Sequence, residues 1–311
     1  MTRTSETAAS YLLFPIVVGA SLSVGLAVAG TGAERVVGAA IVLSTALIVA
    51  VFERLLPFEP QWNVSRDDVK PDLWHAVVSN LAAPPIYQAA WVALIAPLTA
   101  FVGFNVWPTS LPLLAQLVLA LVIGELGQYW AHRLSHERDA LWRLHSTHHS
   151  PHRLYWLNAA RDHPFGVALL FSAELIPLLA LGVTEEVLVL FALFTAVHGL
   201  FQHANVNVRL GPLNWVFSMA ELHRWHHSKH LDEANNNYGA NLIVWDIVFG
   251  TRFLPPRRPP SDVGIGNMPT FPTTYLGQLA VPFRWRGLAD PTADPPGASD
   301  RLVCDPDSRA E

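Results

Sequence analysis

Long apolar stretches, rather than alternating or striped patterns, dominate the first half of the chain. Residues 7–33 and 36–52 carry no formal charge, and between Leu73 and Ala131 the only formally charged side chain is Glu125. A helix needs roughly 20 apolar residues to cross the hydrocarbon core of a bilayer. The turn-rich stretch "GFNVWPTS" at 103–110 divides the long interval in two. The pattern therefore predicts four spanning helices, at about 11–30, 36–56, 74–101 and 111–131. A further apolar pair fills 164–202 and is split at "LGVTEEV". There Gly182 can stop one helix, and Thr184 can cap the next with Glu185 and Glu186 in its first turn. Glu174 and Pro177 interrupt the first arm. This pair reads as a hairpin that either spans or dips in and returns.

Polar positions divide the rest. From about 254 the chain is rich in Pro, Gly and Asp, as in "LPPRRPPSDVG" and "ADPTADPPGASD", a composition of loosely ordered extensions. The expected organisation is an N-terminal helix pair over 1–56, a histidine-bearing membrane domain over 57–253 and a Pro-rich cytoplasmic tail over 254–311. The expected fold class is an all-α integral membrane protein. It has about four transmembrane helices, a helical hairpin and a cytosolic, histidine-rich helical cap.

Composition supports the membrane reading. The chain is 51% hydrophobic and only 14% charged, against about 25% charged in an ordinary soluble domain. Its net charge of −5, with basic residues confined to short segments, excludes a nucleic-acid surface. Cys304 is the single cysteine, so internal disulfides, iron–sulfur clusters and cysteine-based zinc sites are excluded. Any metal must be held by nitrogen and oxygen. Sidedness follows from the basic residues. Arg54, Arg66 and Lys70 follow the second predicted span, and Arg133, Arg138, Arg143, Arg153 and Arg161 follow the start of the histidine region, whereas the opposite loops offer Arg35 alone. The N-terminus and the histidine-rich segments are therefore expected on the cytoplasmic side of a bacterial inner (cell) membrane. "AVAG" at 27–30 has the look of a signal-cleavage site, but the apolar run before it is longer than a usual signal core.

The polar chemistry is concentrated in imidazole. Thirteen of the 14 histidines lie between 132 and 230, so they belong to one region. They fall into "HRLSH" (His132, His136), "HSTHH" (His145, His148, His149) and "HRWHH" (His223, His226, His227). On a helix, positions i, i+3 and i+4 share a face, so each cluster aims its rings one way. A pair at i, i+3 is expected to share one metal while the i+4 ring reaches a second. The repeated H-x-x-H-H spacing suggests two half-sites around one centre. His163, in "RDHPF", and His203, in "HGLFQHAN", are brought to the same membrane face by the hairpin. His198 and His203 are five apart, about 140° around a helix, so both cannot face the metals without local unwinding. His203 is favoured. His198 stays open, and so does His163, as a ligand or as a support behind one. His75, His152 and His230 read as interfacial or hydrogen-bonding residues, and alanine at His75 or His230 is expected to be tolerated.

These pieces resemble the fatty acid hydroxylase/sterol desaturase superfamily of membrane di-iron oxygenases. The likeness is carried by "YWAHRLSH", "LWRLHSTHHS", "HANV", "ELHRWHHS" and "NNNYGANLIVWDIVFGT", over roughly 70–255. The resemblance implies His132, His136, His145, His148, His149, His203, His223, His226 and His227 as metal ligands. It further implies two iron ions (Fe2+), O2 as co-substrate, a lipid substrate drawn from the membrane, and hydroxylation or desaturation of an aliphatic C–H bond. Neutral imidazoles with open coordination positions suit that chemistry, and zinc is expected to replace iron on overexpression. A fused cytochrome b5 domain, carried by some members, is not apparent. Electrons are therefore expected from an external ferredoxin or cytochrome with its reductase.

Glu125 lies seven residues before His132 on the same helical face, and an ionisable group there needs a partner. Either it holds a ligand imidazole by its second nitrogen, or it pairs with an Arg or a polar neighbour. Asp246, in "WDIVFG", is a similar candidate support. Trp130, Trp142, Trp156, Trp225 and Trp245 fit an interfacial aromatic belt. Three rivals are weaker. A zinc hydrolase fails because His136-Glu137 is followed by Ala140 where H-E-x-x-H needs histidine. A bis-His cytochrome needs single histidines deep within helices, and a metal transporter needs ligands near mid-membrane.

Overall fold

The computed structural model describes residues 3–102, 106–266, 268, 270–285 and 288. Helices account for all of its regular structure: among the described residues there is no strand, only isolated bridges at Pro57–Val206, Phe217–Leu242 and Ser228–Val263. The first helices, α1 (Arg3–Val28) and α2 (Glu34–Leu55), are apolar on every side and joined by a tight turn. Gly30 and Gly32 make that turn at φ 74° and 82°, a region that favours residues without a Cβ. Next come α3 (Val69–His75), a π-helical segment (Ala76–Ala82) and α4 (Ala83–Val102). Pro84 and Pro85 lack the N–H groups that would bond the preceding carbonyls. The widened turn sits just before them.

α5 (Leu113–Glu137) ends where Arg138 becomes extended, and α6 (Asp139–His149) starts at once. α7 (Pro164–Ala180) opens with a proline at its first position, and α8 (Glu185–Gln202) follows the turn at Gly182, which has φ 79°. The turn at Gly182 falls where expected and Thr184 stands at the N-cap, though its side chain makes no cap hydrogen bond; α7 runs unbroken through Glu174 and Pro177, which do not interrupt it. In the bundle, α1 and α2 pack on α8, α8 on α5, and both α4 and α5 on α7. The closest approach is at Gly127, where an added Cβ would stand 1.9 Å from the carbonyl oxygen of Ala173. Small residues at such crossings let helix backbones meet in a membrane.

Four described helices are long and apolar enough to cross a membrane: Thr4–Val28, Glu34–Leu55, Leu113–Glu137 and Glu185–Gln202. Their outer surfaces are oily, with Leu43 72% and Leu47 67% exposed. α8 thus joins the expected spans. The interval 74–101, read from sequence as one helix, is divided by the π-helical segment into α3 and the 20-residue α4. Part of the expected break, at 103–105, lies outside the described residues.

One end of the bundle carries the histidines, and at the opposite end Arg35 pairs with Glu185 at 2.7 Å. The histidine end is closed by α9 (Ala220–His226), α10 (Leu231–Ala234), α11 (Val244–Val248) and α12 (Tyr275–Arg284), with a 3₁₀ turn, Gly211–Trp215, leading into them. Buried ion pairs tie this cap to the membrane helices. Arg153 engages Asp68, and Arg161 engages Asp72. Glu53, near the end of α2, accepts the backbone N–H of Trp156 at 2.8 Å and of Asn205 at 2.9 Å. Arg224 lies over the Phe58 ring and donates to the carbonyls of Ala204 and Val206, both at 2.8 Å.

Described parts of the Pro-rich segment pack on the cap as far as Trp285. Trp62 Nε1 donates to Ser261 O at 3.2 Å, Arg258 donates to Phe58 O at 2.6 Å, and Met268, Val281 and Trp285 form a small core with Trp142. Proline disfavours ladders but not packing. Apolar residues spaced among the prolines let an extended chain cover the cap. The rest of the expected tail, from 289 on, lies outside the described residues.

Candidate metal centre

Five rings from three helices meet in one group: His132 and His136 from α5, His145 and His149 from α6, and His226 from α9. Four more meet in a second: His148 from α6, His203 at the end of α8, and His223 and His227 at α9. Within each group the ligand atoms lie within 4.8 Å of one another. The groups share a wall, because His149 and His227 stack with ring centroids 4.4 Å apart and His145 stacks on His148 at 5.2 Å. All nine rings named by the resemblance are brought together. His163 and His198 are not.

The division corrects the expected pairing. It is the i, i+4 pair that shares a group, His145 with His149 and His223 with His227, while the i+3 ring crosses over. At 100° per residue an i+4 ring is displaced by about 40° and an i+3 ring by about 60° the other way. Each H-x-x-H-H motif therefore lends one ring to the other motif's group: His148 leaves α6 for the four-histidine group, and His226 leaves α9 for the five-histidine group.

Hydrogen bonds fix which nitrogen faces inward. His132 donates Nδ1–H to Tyr238 O at 2.6 Å, and His226 donates Nδ1–H to Asn236 O at 2.8 Å. A neutral imidazole that donates from Nδ1 presents a lone pair at Nε2. These two Nε2 atoms are 3.1 Å apart, so two lone pairs face each other. His132 Nε2 is also 2.9 Å from His145 Nε2, and His203 and His223 meet Nε2 to Nε2 at 2.8 Å. Two nitrogens bound at right angles to one ion, each about 2.1 Å away, stand about 3.0 Å apart. The spacing fits shared cations, and the donor set, all imidazole, suits iron or zinc.

Electrostatics keep the rings in the form a metal needs. Burial, then neighbouring imidazoles, hold His145, His149, His223 and His227 well below the ordinary imidazole pKa. His203 is likewise held down by burial and by His148. Neutral rings offer their lone pairs, whereas a crowd of imidazolium ions would repel.

Both candidate carboxylates act on a loop rather than on a ring. Glu125 accepts the backbone N–H groups of Ala240 and Asn241, at 2.5 and 2.9 Å. Among the described residues it therefore neither holds an imidazole nor pairs with an Arg. Asp246 accepts the N–H groups of Tyr238 and Gly239, both at 2.8 Å, and burial pushes its pKa up to about 6. The loop they hold carries the carbonyls that orient His132 and His226. Sequence reasoning missed Asn158, whose Oδ1 is 3.0 Å from His203 Nδ1, and Asn235, whose Oδ1 is 3.2 Å from His136 Nδ1. The run "NNNYGAN" at 235–241 was the available signal for Asn235.

Other expectations need correction. His163 caps α7, accepting Phe165 N–H and donating to Leu279 O, apart from both groups. His198 sits among Phe14, Phe194 and Phe217, with no hydrogen-bond partner among the described residues on either nitrogen. The aromatic belt fails at Trp225, which is fully buried, and at Trp142, which packs 5.3 Å from His136 and 5.4 Å from His149. Trp130, 38% exposed, keeps a boundary position.

His75 is completely buried, with Nδ1 2.8 Å from Asp162 O and Nε2 2.8 Å from Gln278 Oε1, so it ties α3 to α12. Replacement by alanine takes the one N–H that a neutral ring offers from between these two oxygens and opens a cavity. The expected cost is about 2–4 kcal/mol, read as a lowered thermal midpoint in detergent. An unchanged midpoint would contradict this role and restore the tolerance expected from sequence.

Comparison with known proteins adds the lineage. A family model described as fatty acid hydroxylase matches residues 117–251, which contain all nine clustered histidines. The chain is 40% identical over 250 residues to an ornithine lipid hydroxylase of Rhizobium tropici, covering 79% of this chain and 75% of that protein. It is 32% identical over 133 residues to an alkylglycerol monooxygenase of Xenopus tropicalis, covering 43% of this chain but only 29% of that longer protein. A methylsterol monooxygenase of Arabidopsis thaliana is 23% identical over 173 residues, covering 55% of this chain and 61% of the relative. No solved structure matches significantly.

Proposed function

The chain belongs to the fatty acid hydroxylase family, and from that membership we propose that it is a membrane di-iron oxygenase that hydroxylates a lipid. It is an oxidoreductase of the membrane, as its named hydroxylase and monooxygenase relatives are. The observation that carries the finer reading is the meeting of nine buried imidazoles in two adjoining groups. The nine rings hold the metal in this reading, five around one Fe2+ and four around the other.

Bound iron supplies the activation of O2 needed to attack an unactivated C–H bond. The remaining contributions come from the chain. Tyr238 O, Asn236 O and the side chains of Asn158 and Asn235 hold the rings in one tautomer and one orientation. The core of Trp142, Met268, Val281 and Trp285 covers the face beside His136 and His149, keeping water from the rings. In the overall balance one lipid C–H, one O2, two electrons and two protons give one C–OH and one water. Hydroxylation is preferred to desaturation because the relatives named above are hydroxylases and monooxygenases. The active site faces the cytoplasm of a bacterial inner membrane, following the basic residues that surround it.

An ornithine lipid is the first substrate to test, since a relative that matches 79% of this chain is named for it. Lipid extracts from cells with and without the gene should differ by a species 16 mass units heavier than its precursor. A loss of 2 units would assign desaturation instead, and no change in any lipid class would refute a lipid oxygenase.

A further inference from the structure

We propose that the two metal positions rest on separate supports, so that each can be emptied alone, and that they differ in charge. This rests on the ligand assignment above.

Three of the five rings in the larger group are oriented by one short loop. Asn235 Oδ1 is 3.2 Å from His136 Nδ1, Asn236 O is 2.8 Å from His226 Nδ1, and Tyr238 O is 2.6 Å from His132 Nδ1. All three acceptors are neutral oxygens. The loop is itself locked from behind. Asp246 takes the N–H groups of Tyr238 and Gly239 and the Thr251 hydroxyl, the last at 2.7 Å, while Glu125 takes those of Ala240 and Asn241. Asn237 adopts a left-handed φ of 56°, with its amide donating to Leu222 O at 3.0 Å and Phe253 O at 2.7 Å. At Gly239 a Cβ would meet Leu242 O at 2.3 Å, so the loop can close this tightly only with glycine there.

The four-histidine group uses a different segment. Asn158 Oδ1 accepts from His203 Nδ1, and its own amide donates to Arg153 O at 2.7 Å. Asp162 Oδ2 stands 3.2 Å from His148 Nδ1. That approach is an ion-pair distance and not a hydrogen bond: His148, His223 and His227 all lack a hydrogen-bond partner for Nδ1 among the described residues. Among those residues no hydrogen bond joins the 235–241 loop to this group, and none joins Asn158 or Asp162 to the other. A carboxylate behind a ligand imidazole raises its basicity more than an amide oxygen does. The position beside His148 therefore carries the more electron-rich ligand set, and the two ions are inequivalent.

Supports of this kind are worth about 10- to 100-fold in metal affinity. The test uses the full chain in detergent, loaded with 57Fe, with iron per chain measured through a chelator titration and Mössbauer spectra recorded throughout. The wild type is expected to hold two irons with two distinct signals. Asn235→Ala and Asp246→Asn should release one of them at a tenfold or more lower chelator concentration, and Asn158→Ala and Asp162→Asn should release the other. Asn235 is only half-buried, so its variant serves if Asp246→Asn fails to fold. Two irons in the wild type that leave together, or from the same position in both sets of variants, would overturn the proposal and leave the ligand assignment standing. A wild type that never exceeds one iron per chain would overturn both.

Discussion

Alanine at His149 or His227 is expected to abolish turnover, a loss well beyond the roughly 100-fold that removal of a ligand's support can cost. The two rings form the wall between the metal groups, stacked at 4.4 Å with an interplanar angle of 22°. Each substitution takes a nitrogen from one group and opens a gap against the other, so both positions are disturbed at once. His148→Ala and His226→Ala remove the crossed-over rings and should be as damaging. His230→Ala is the control: that side chain is exposed and belongs to neither group. Product formed in membranes by each variant is the measurement. Activity surviving in both His149→Ala and His227→Ala would contradict the ligand assignment.

Isolated protein supplied with NAD(P)H and O2 alone should not turn over, whereas a reductase with a ferredoxin or cytochrome should restore product. The balance of a hydroxylation requires two electrons from outside the lipid. The sequence shows neither a glycine-rich dinucleotide fingerprint nor cysteines for an iron–sulfur cluster, so the chain has no evident way to accept hydride. Oxygen uptake coupled to product, measured with and without the donor pair, decides the matter. Sustained turnover by the isolated chain with NAD(P)H would refute the need for a donor.

Much of this was legible in the sequence because hydrophobic length and histidine spacing are local signals. The spans at α1, α2 and α5, and the turn at Gly182 and Thr184, follow from short windows that tertiary contacts do not override. The three histidine clusters were equally plain, since a helix fixes where i and i+4 point. The crossing of His148 and His226 was less so. It depends on how α6 and α9 face each other, which neither helix encodes alone. Glu125 shows the same limit. Its need for a partner could be read from its apolar surroundings, but the partner is a backbone segment 115 residues away. The partners of His75 and of the segment near Trp285, Gln278 and Trp142, were hidden for a related reason, as they are distant in the chain. Asn158 carries no local mark that separates a ligand's support from an ordinary loop asparagine, and Asn235 has only its place in an asparagine run.

Metal content per chain, measured together with the positions of the ions, tests the central claim most directly. Nine imidazoles in groups of five and four exceed what one zinc accepts, since structural and catalytic zinc sites take three or four protein ligands. Zinc acquired during overexpression can stand in for iron, so number and place are more telling than identity. Two ions per chain, one within each histidine group, are predicted. A single ion per chain at saturating metal, or ions bound away from these nine rings, would contradict a di-iron oxygenase.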